Sequence, residues 1–208
     1  MTSDEISCHE SVRLFLITRH LSLITFLMSL LLATLLPGLF LALLGGLLCW
    51  NGAPVAVRAK ALPRSSTATW LCFGGGAAWF LWRLSHTGES DLIFFKSPTP
   101  LMLGFGVLAV LAFIYTPDFL AVRGLCILML LAAEPLLYAA YMEWTHPQRL
   151  LMVTAVYVGL TAALYLAAYP FRLRDFFDWL FRAPGRPRLL GAILLAYGLA
   201  TSAAAFTY

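Results

Sequence analysis

An all-α polytopic membrane protein is predicted from this sequence on three observations. Of 208 residues, 61% are hydrophobic and 12% are charged, with a mean hydropathy of +0.84, whereas a soluble domain carries about twice that charged fraction. Several apolar runs approach the roughly 20 residues that a helix needs to cross a bilayer. The runs lack the apolar–polar alternation of barrel strands, and backbone inside hydrocarbon must satisfy its own hydrogen bonds, which leaves helices.

Residues 1–13 read as a cytoplasmic tail. Asp4, Glu5 and Glu10 stand where a signal peptide would carry basic residues, so no cleavable leader is expected. Residues 14–208 read as one transmembrane domain. Its first run is too long for one crossing: residues 21–50 would make about 45 Å of helix in a core of about 30 Å. Pro37 and Gly38 fall inside that run, and Pro breaks a helix while Gly supplies a turn. A helical hairpin is therefore expected, 14–36 crossing and 38–50 returning. Further spans are predicted over 67–84, 100–115, 119–143, 150–169 and 189–206, about seven in all.

Basic residues orient these spans. Seven crossings place Arg13, Arg19, Arg58, Lys60, Arg64, Arg123, Arg172, Arg174, Arg182, Arg186 and Arg188 on one face and Arg83, Lys96 and Arg149 on the other. Without the hairpin, Arg13 and Arg19 change sides and the bias weakens. The positive-inside rule then makes the N-terminus and the loops 51–66 and 170–188 cytoplasmic, and a plasma membrane, the bacterial inner membrane, is the expected location. The formal net charge of +4 is accordingly a topological signal; no zinc spacing or basic helix with interleaved aromatics points to nucleic acid.

Soluble-enzyme signatures are missing: there is no GxSxG, HExxH or P-loop. Cys8, Cys49, Cys72 and Cys126 form no CxxC pair and read as reduced thiols. His9, His20, His86 and His146 are scattered near span boundaries, without the pairing on facing helices that a metal centre requires.

Two helices carry more than hydropathy. Ala155, Gly159, Ala163 and Ala167 recur every fourth residue, as do Ala192, Ala196, Ala200 and Ala204, a spacing that lets helix backbones approach closely. Thr154, Tyr157, Thr161 and Tyr165 line the other side of the first of these, which predicts a central helix covered on both faces. In the preceding span, Glu134 lies about nine residues inside the membrane, with Tyr138 and Tyr141 at i+4 and i+7 on its face and Tyr157 expected at similar depth. A carboxyl there is costly to charge. With Arg123 three turns away along the same helix, Glu134 is expected to be a neutral acid that packs or lines a cavity.

The order of parts is informative. A helical hairpin leads into Asn51 and "RAKALPRSS"; then come "FIYTPDFLAVRG", two spans and the loop "YPFRLRDFFDWLFRAPGRPRLLGAIL". This arrangement, over nearly the whole chain, resembles the UbiA-type polyprenyl transferase superfamily in shortened, degenerate form. The resemblance implies nine helices, two of them following Tyr208, and cytoplasmic loops after the second and sixth spans that hold a prenyl diphosphate. With those two helices missing, a second copy, a partner subunit or lipid is expected to close the bundle. It also implies transfer of a polyprenyl group from its diphosphate, with Mg²⁺ held by aspartates if that chemistry is retained. Asn51 matches the first family loop, but Gly52, Val55 and Ala59 stand where its aspartates would be, and Lys60 to Ser66 resembles the sequel. Asp175 and Asp178 remain in the second loop at shortened spacing, among Arg172, Arg174 and Arg182.

The residues expected to hold an isoprenoid or anionic lipid headgroup are therefore Asn51, Arg58, Lys60, Arg64, Arg172, Arg174, Asp175 and Asp178, with no metal and transferase activity weak or lost. The segment 172–188 also reads as an interfacial amphipathic stretch whose arginines lie beside anionic lipid. A non-catalytic membrane subunit and a small transport component are the alternatives.

Overall fold

A computed structural model describes residues 30–50, 53–87, 97–116, 118–141 and 143–208. Regular structure among them is entirely helical. The elements are α1 (Leu30–Trp50), α2 (Ala53–Ala61), a 3₁₀ turn (Leu62–Arg64), α3 (Ser66–Thr69), a π-helical segment (Trp70–Gly74), α4 (Gly75–Ser85), α5 (Thr99–Tyr115), α6 (Leu120–Ala139), α7 (Arg149–Ala168), α8 (Phe171–Leu180) and α9 (Gly185–Ala205). Residues 66–85 form one helical rod through the π segment. Among the described residues, α1, α6, α7 and α9 are long and apolar enough to cross a membrane, and α5 is a shorter apolar helix.

Five of the predicted spans fall on the rod, α5, α6, α7 and α9. The N-terminal hairpin does not form where it was placed. Pro37 sits inside the continuous helix α1, and no described glycine has a positive φ. The physical reason is packing. Gly38 serves close approach rather than a turn: a Cβ there would lie 2.5 Å from Ser202 Oγ and 3.1 Å from the Gly198 carbonyl oxygen. The hydrogen bond that Pro37 removes is one bond in a 21-residue helix, and it is set against a backbone seam along the helix length.

That seam joins α1 to α9 in antiparallel sense. Gly38 and Gly45 meet Gly198 and Gly191, seven residues apart on each helix; a Cβ on Gly198 would lie 2.4 Å from the Ala42 nitrogen, and one on Gly191 2.7 Å from the Gly45 oxygen. Such contact is available only to residues without side chains, and it maximises dispersion between helices in lipid. Cys49 Sγ lies 3.7 Å from the Arg188 carbonyl oxygen at one end, and Thr34 Oγ1 donates to Tyr208 Oη at 3.3 Å at the other. The expected alanine stripe of α9 is corrected in part: Ala204 is buried, but Ala192, Ala196 and Ala200 face outward, and Gly191, Gly198, Ser202 and Ala205 make up the rest of the buried face. Alanine spacing alone cannot identify a seam that glycine makes closer.

The rod and α6 run parallel at a fixed offset. Gly124 packs on the Phe73 backbone, with a would-be Cβ 2.2 Å from its nitrogen, Gly76 packs on Ile127, and Arg83 reaches Glu134. Helix α5 lies antiparallel to the rod, with Phe113 stacked on Trp70 at 4.7 Å and Phe105 edge-on to Phe80 at 5.1 Å. Helix α7 runs antiparallel to α6, burying Met152 and Val156 against Ala133 and Ala140, and Ala163 against Val122 and Cys126.

Among the described residues only one side of α7 is covered, which makes it peripheral to them, not central. Tyr157 is 57% exposed and Tyr165 50%. The Thr–Tyr periodicity misled because its hydroxyls need no partner helix: Thr154 donates to the Leu150 carbonyl at 2.7 Å and Thr161 to that of Tyr157 at 2.9 Å.

Candidate functional site

The segments 53–64 and 169–188 come together at one end of the bundle. Helix α2 carries Arg58 and Lys60 in its last turn, where the helix dipole favours cations, and Pro63 in the 3₁₀ turn is buried. Helix α8 follows a sharp turn at Pro170. Its Leu173 packs on the cluster of Val122, Cys126 and Ala163, and Leu180 is buried. The i+7 spacing of those leucines places Arg172, Arg174, Asp175 and Asp178 outward. Arg186 ends the helix: its Nη1 donates to the Trp179 carbonyl at 2.9 Å, and its guanidinium lies 4.6 Å from the Trp179 ring centre.

Lys60 Nζ and Asp178 Oδ1, 3.1 Å apart, link α2 to α8. Arg174 holds the neighbouring Asp175 through Nη2 at 2.9 Å and Nε at 3.2 Å. All four side chains are about half exposed, so each pair contributes about 0–1 kcal/mol and serves placement more than stability. Arg64 turns away and lies 5.9 Å from the Phe119 ring centre; Arg172 lies over Phe171 at 5.7 Å. Among the described residues, Arg58, Arg123, Arg182 and Arg188 make no ion pair. Asn51 lies outside the described residues.

The carboxylates do not fit a magnesium site. Each accepts a cation already, and among the described residues no three of His, Cys, Asp and Glu converge as metal ligands. An arginine or lysine ammonium beside each carboxylate opposes a divalent cation there.

The expectation for Glu134 is corrected. It pairs with Arg83 from the neighbouring rod, whereas a neutral acid was expected because Arg123, in its own helix, is out of reach. Arg83 stands two residues before the end of its helix, and the 51-residue offset between the rod and α6 sets it level with Glu134. Tyr138 and Tyr141 are exposed, with ring centres 6.0 Å apart; Tyr157 belongs to the outer face of α7 and is not part of this cluster.

Two hollows between helices lie near these residues. An apolar groove of about 600 Å³ opens between α1, α4, α6 and α7, with Pro37, Phe40, Trp79, Met129, Pro135 and Gly159 on its walls. A smaller one of about 290 Å³, between the 3₁₀ turn, the start of the rod, and the junction of α5 with α6, holds Arg64, Ser66, Trp70 and Asp118. Neither was expected from the sequence. Asp118 was visible in "YTPDF", but its approach to Arg64 depends on the fold.

Among the described residues these parts define an all-helical bundle with four helices of membrane-crossing length and composition and one strongly basic end. Compared with family models, curated proteins and solved structures, the chain matches none.

Proposed function

We propose that this is an integral membrane protein whose basic end faces the cytoplasm and binds the anionic headgroup of an isoprenoid phosphate or diphosphate without a divalent metal, turning it over slowly or not at all. The carrying observation is the Lys60–Asp178 link. It sets α2 beside α8, while Arg58, Arg182 and Arg188 are left without a carboxylate among the described residues. A surplus of cations repels Mg²⁺ and attracts phosphate, and guanidinium groups hold phosphate oxygens directly by charge-assisted hydrogen bonds. The amphipathic α8, with Phe176 and Trp179 exposed, suits a segment lying among headgroups. The isoprenoid class is supported by the resemblance of the two loops to the UbiA-type superfamily, of which the present chain would be a member that has lost its metal ligands.

The transport reading requires a polar, aqueous site near mid-depth, and the groove there is walled by apolar side chains.

Farnesyl diphosphate binding to the purified protein in lipid nanodiscs, with and without chelator, tests the proposal. Binding should survive chelator and weaken as salt rises, because the Debye length shortens below about 8 Å past physiological ionic strength. Prenyl transfer to an aromatic acceptor that chelator abolishes would overturn it.

A further inference from the structure

The cavity at the start of the rod has a chemistry different from the surface of α8. Its walls bring a cation, Arg64, and an anion, Asp118, to one hollow of about 290 Å³, yet the two make no ion pair with each other among the described residues. Opposite charges that share a hollow without pairing suit a ligand that carries both. The same walls include Ser66 and Trp70, whose side chain is 68% exposed and stacked on Phe113. Arg64 is steadied over Phe119, which adopts a left-handed conformation at φ 59°, a conformation that costs a non-glycine residue energy.

The setting narrows the ligand. The cavity opens at the basic end, between the first residues of the rod and of α6 and the last residues of α5, where a membrane-embedded bundle meets headgroups. An exposed indole at that level belongs among headgroups, and a guanidinium matches phosphate geometry. A carboxylate accepts hydrogen bonds from a primary ammonium, and an adjacent aromatic face attracts the same cation. We infer that this cavity binds the headgroup of a zwitterionic aminophospholipid, phosphatidylethanolamine by chemical class, with its phosphate on Arg64 and its ammonium on Asp118 and Trp70. The volume stands near the small end of ligand sites, as suits a headgroup whose acyl chains remain outside.

This inference requires the membrane setting but not the isoprenoid site, since Asp118 has no role there. The test is native mass spectrometry of the full chain released from mixed micelles holding equal amounts of phosphatidylethanolamine and phosphatidylcholine, which carry the same net charge but differ in whether the ammonium can donate hydrogen bonds. Retention of phosphatidylethanolamine should exceed that of phosphatidylcholine by about fivefold, the selectivity of about one net hydrogen bond. Asp118→Asn should bring the two lipids to parity and Asp118→Glu should restore the preference. Asp118 is exposed and makes no ion pair among the described residues, so these variants should fold. Equal retention by the unaltered protein, or an undiminished preference in Asp118→Asn, would overturn the inference. Arg58→Gln with Arg182→Gln should lower retention of farnesyl diphosphate while leaving the phosphatidylethanolamine preference intact, which separates failure here from failure of the isoprenoid reading.

Discussion

The two ends of the bundle treat charge in opposite ways. At the end where Leu30 and Tyr208 lie, Arg83 pairs with Glu134, and Arg149 donates to the Ala140 carbonyl while lying 4.9 Å from the Trp144 ring centre. Each described cation there is spent on joining helical segments. At the other end Arg58, Lys60, Arg64, Arg123, Arg172, Arg174, Arg182, Arg186 and Arg188 face only Asp118, Asp175 and Asp178 among the described residues. A matched charge fixes register inside the protein; a surplus is available to something outside it. Substitutions should therefore cost stability at the first end and binding at the second.

The largest effect should come from breaking what connects the ends. Gly198→Leu would drive a side chain into the Ala42 and Gly38 backbone, which has no way to give. A loss of about 3 kcal/mol or more is expected, read as a lower thermal midpoint in detergent and as loss of anionic lipid binding together. Glu134→Gln comes next. It leaves Arg83 without its carboxylate; the pair is about half exposed, so a loss of up to about 1 kcal/mol is expected, with a double-mutant cycle against Arg83→Gln showing the coupling. Lipid binding at the basic end should be unchanged. In the third case the pattern reverses: replacing Arg58, Arg172 and Arg182 by Gln should lower binding of anionic lipid several-fold while the thermal midpoint moves by no more than surface substitutions do, about 0.5 kcal/mol. Asp178→Asn should have the smallest effect and the opposite sign. It releases Lys60, so anionic lipid binding should rise slightly at a stability cost below about 1 kcal/mol; reduced binding would mean that the α2–α8 link matters more than the charge it consumes.

Hydropathy made the helices legible because burying a run of Leu, Ala and Val requires no knowledge of partners. Five helical segments from residue 67 onward fall within a few residues of where hydropathy puts them, and three of them, α6, α7 and α9, are long and apolar enough to cross a membrane. Pro37–Gly38 was misread because one dipeptide can mean a turn or a close contact, and only Gly191, Gly198 and Ser202 across the seam decide between them. The same limit applies to Glu134. Its partner is 51 residues away, in a parallel neighbour whose offset is set by Gly124 and Gly76. The basic surplus, by contrast, was readable as composition, although its concentration on α2 and α8 depended on Leu173 and Leu180 docking α8 against the bundle. The hollow between Arg64 and Asp118 had no sequence signal, since it forms where three chain segments meet.

The most direct test of a metal-independent headgroup site is lipid mass spectrometry of the protein purified from membranes in the presence of chelator, beside the variant carrying Gln at positions 58, 172 and 182. A polyprenyl phosphate or diphosphate should co-purify with the unaltered chain and be depleted several-fold from the variant. The same lipid profile in both proteins, or an isoprenoid that is retained only when magnesium is supplied, would contradict the account.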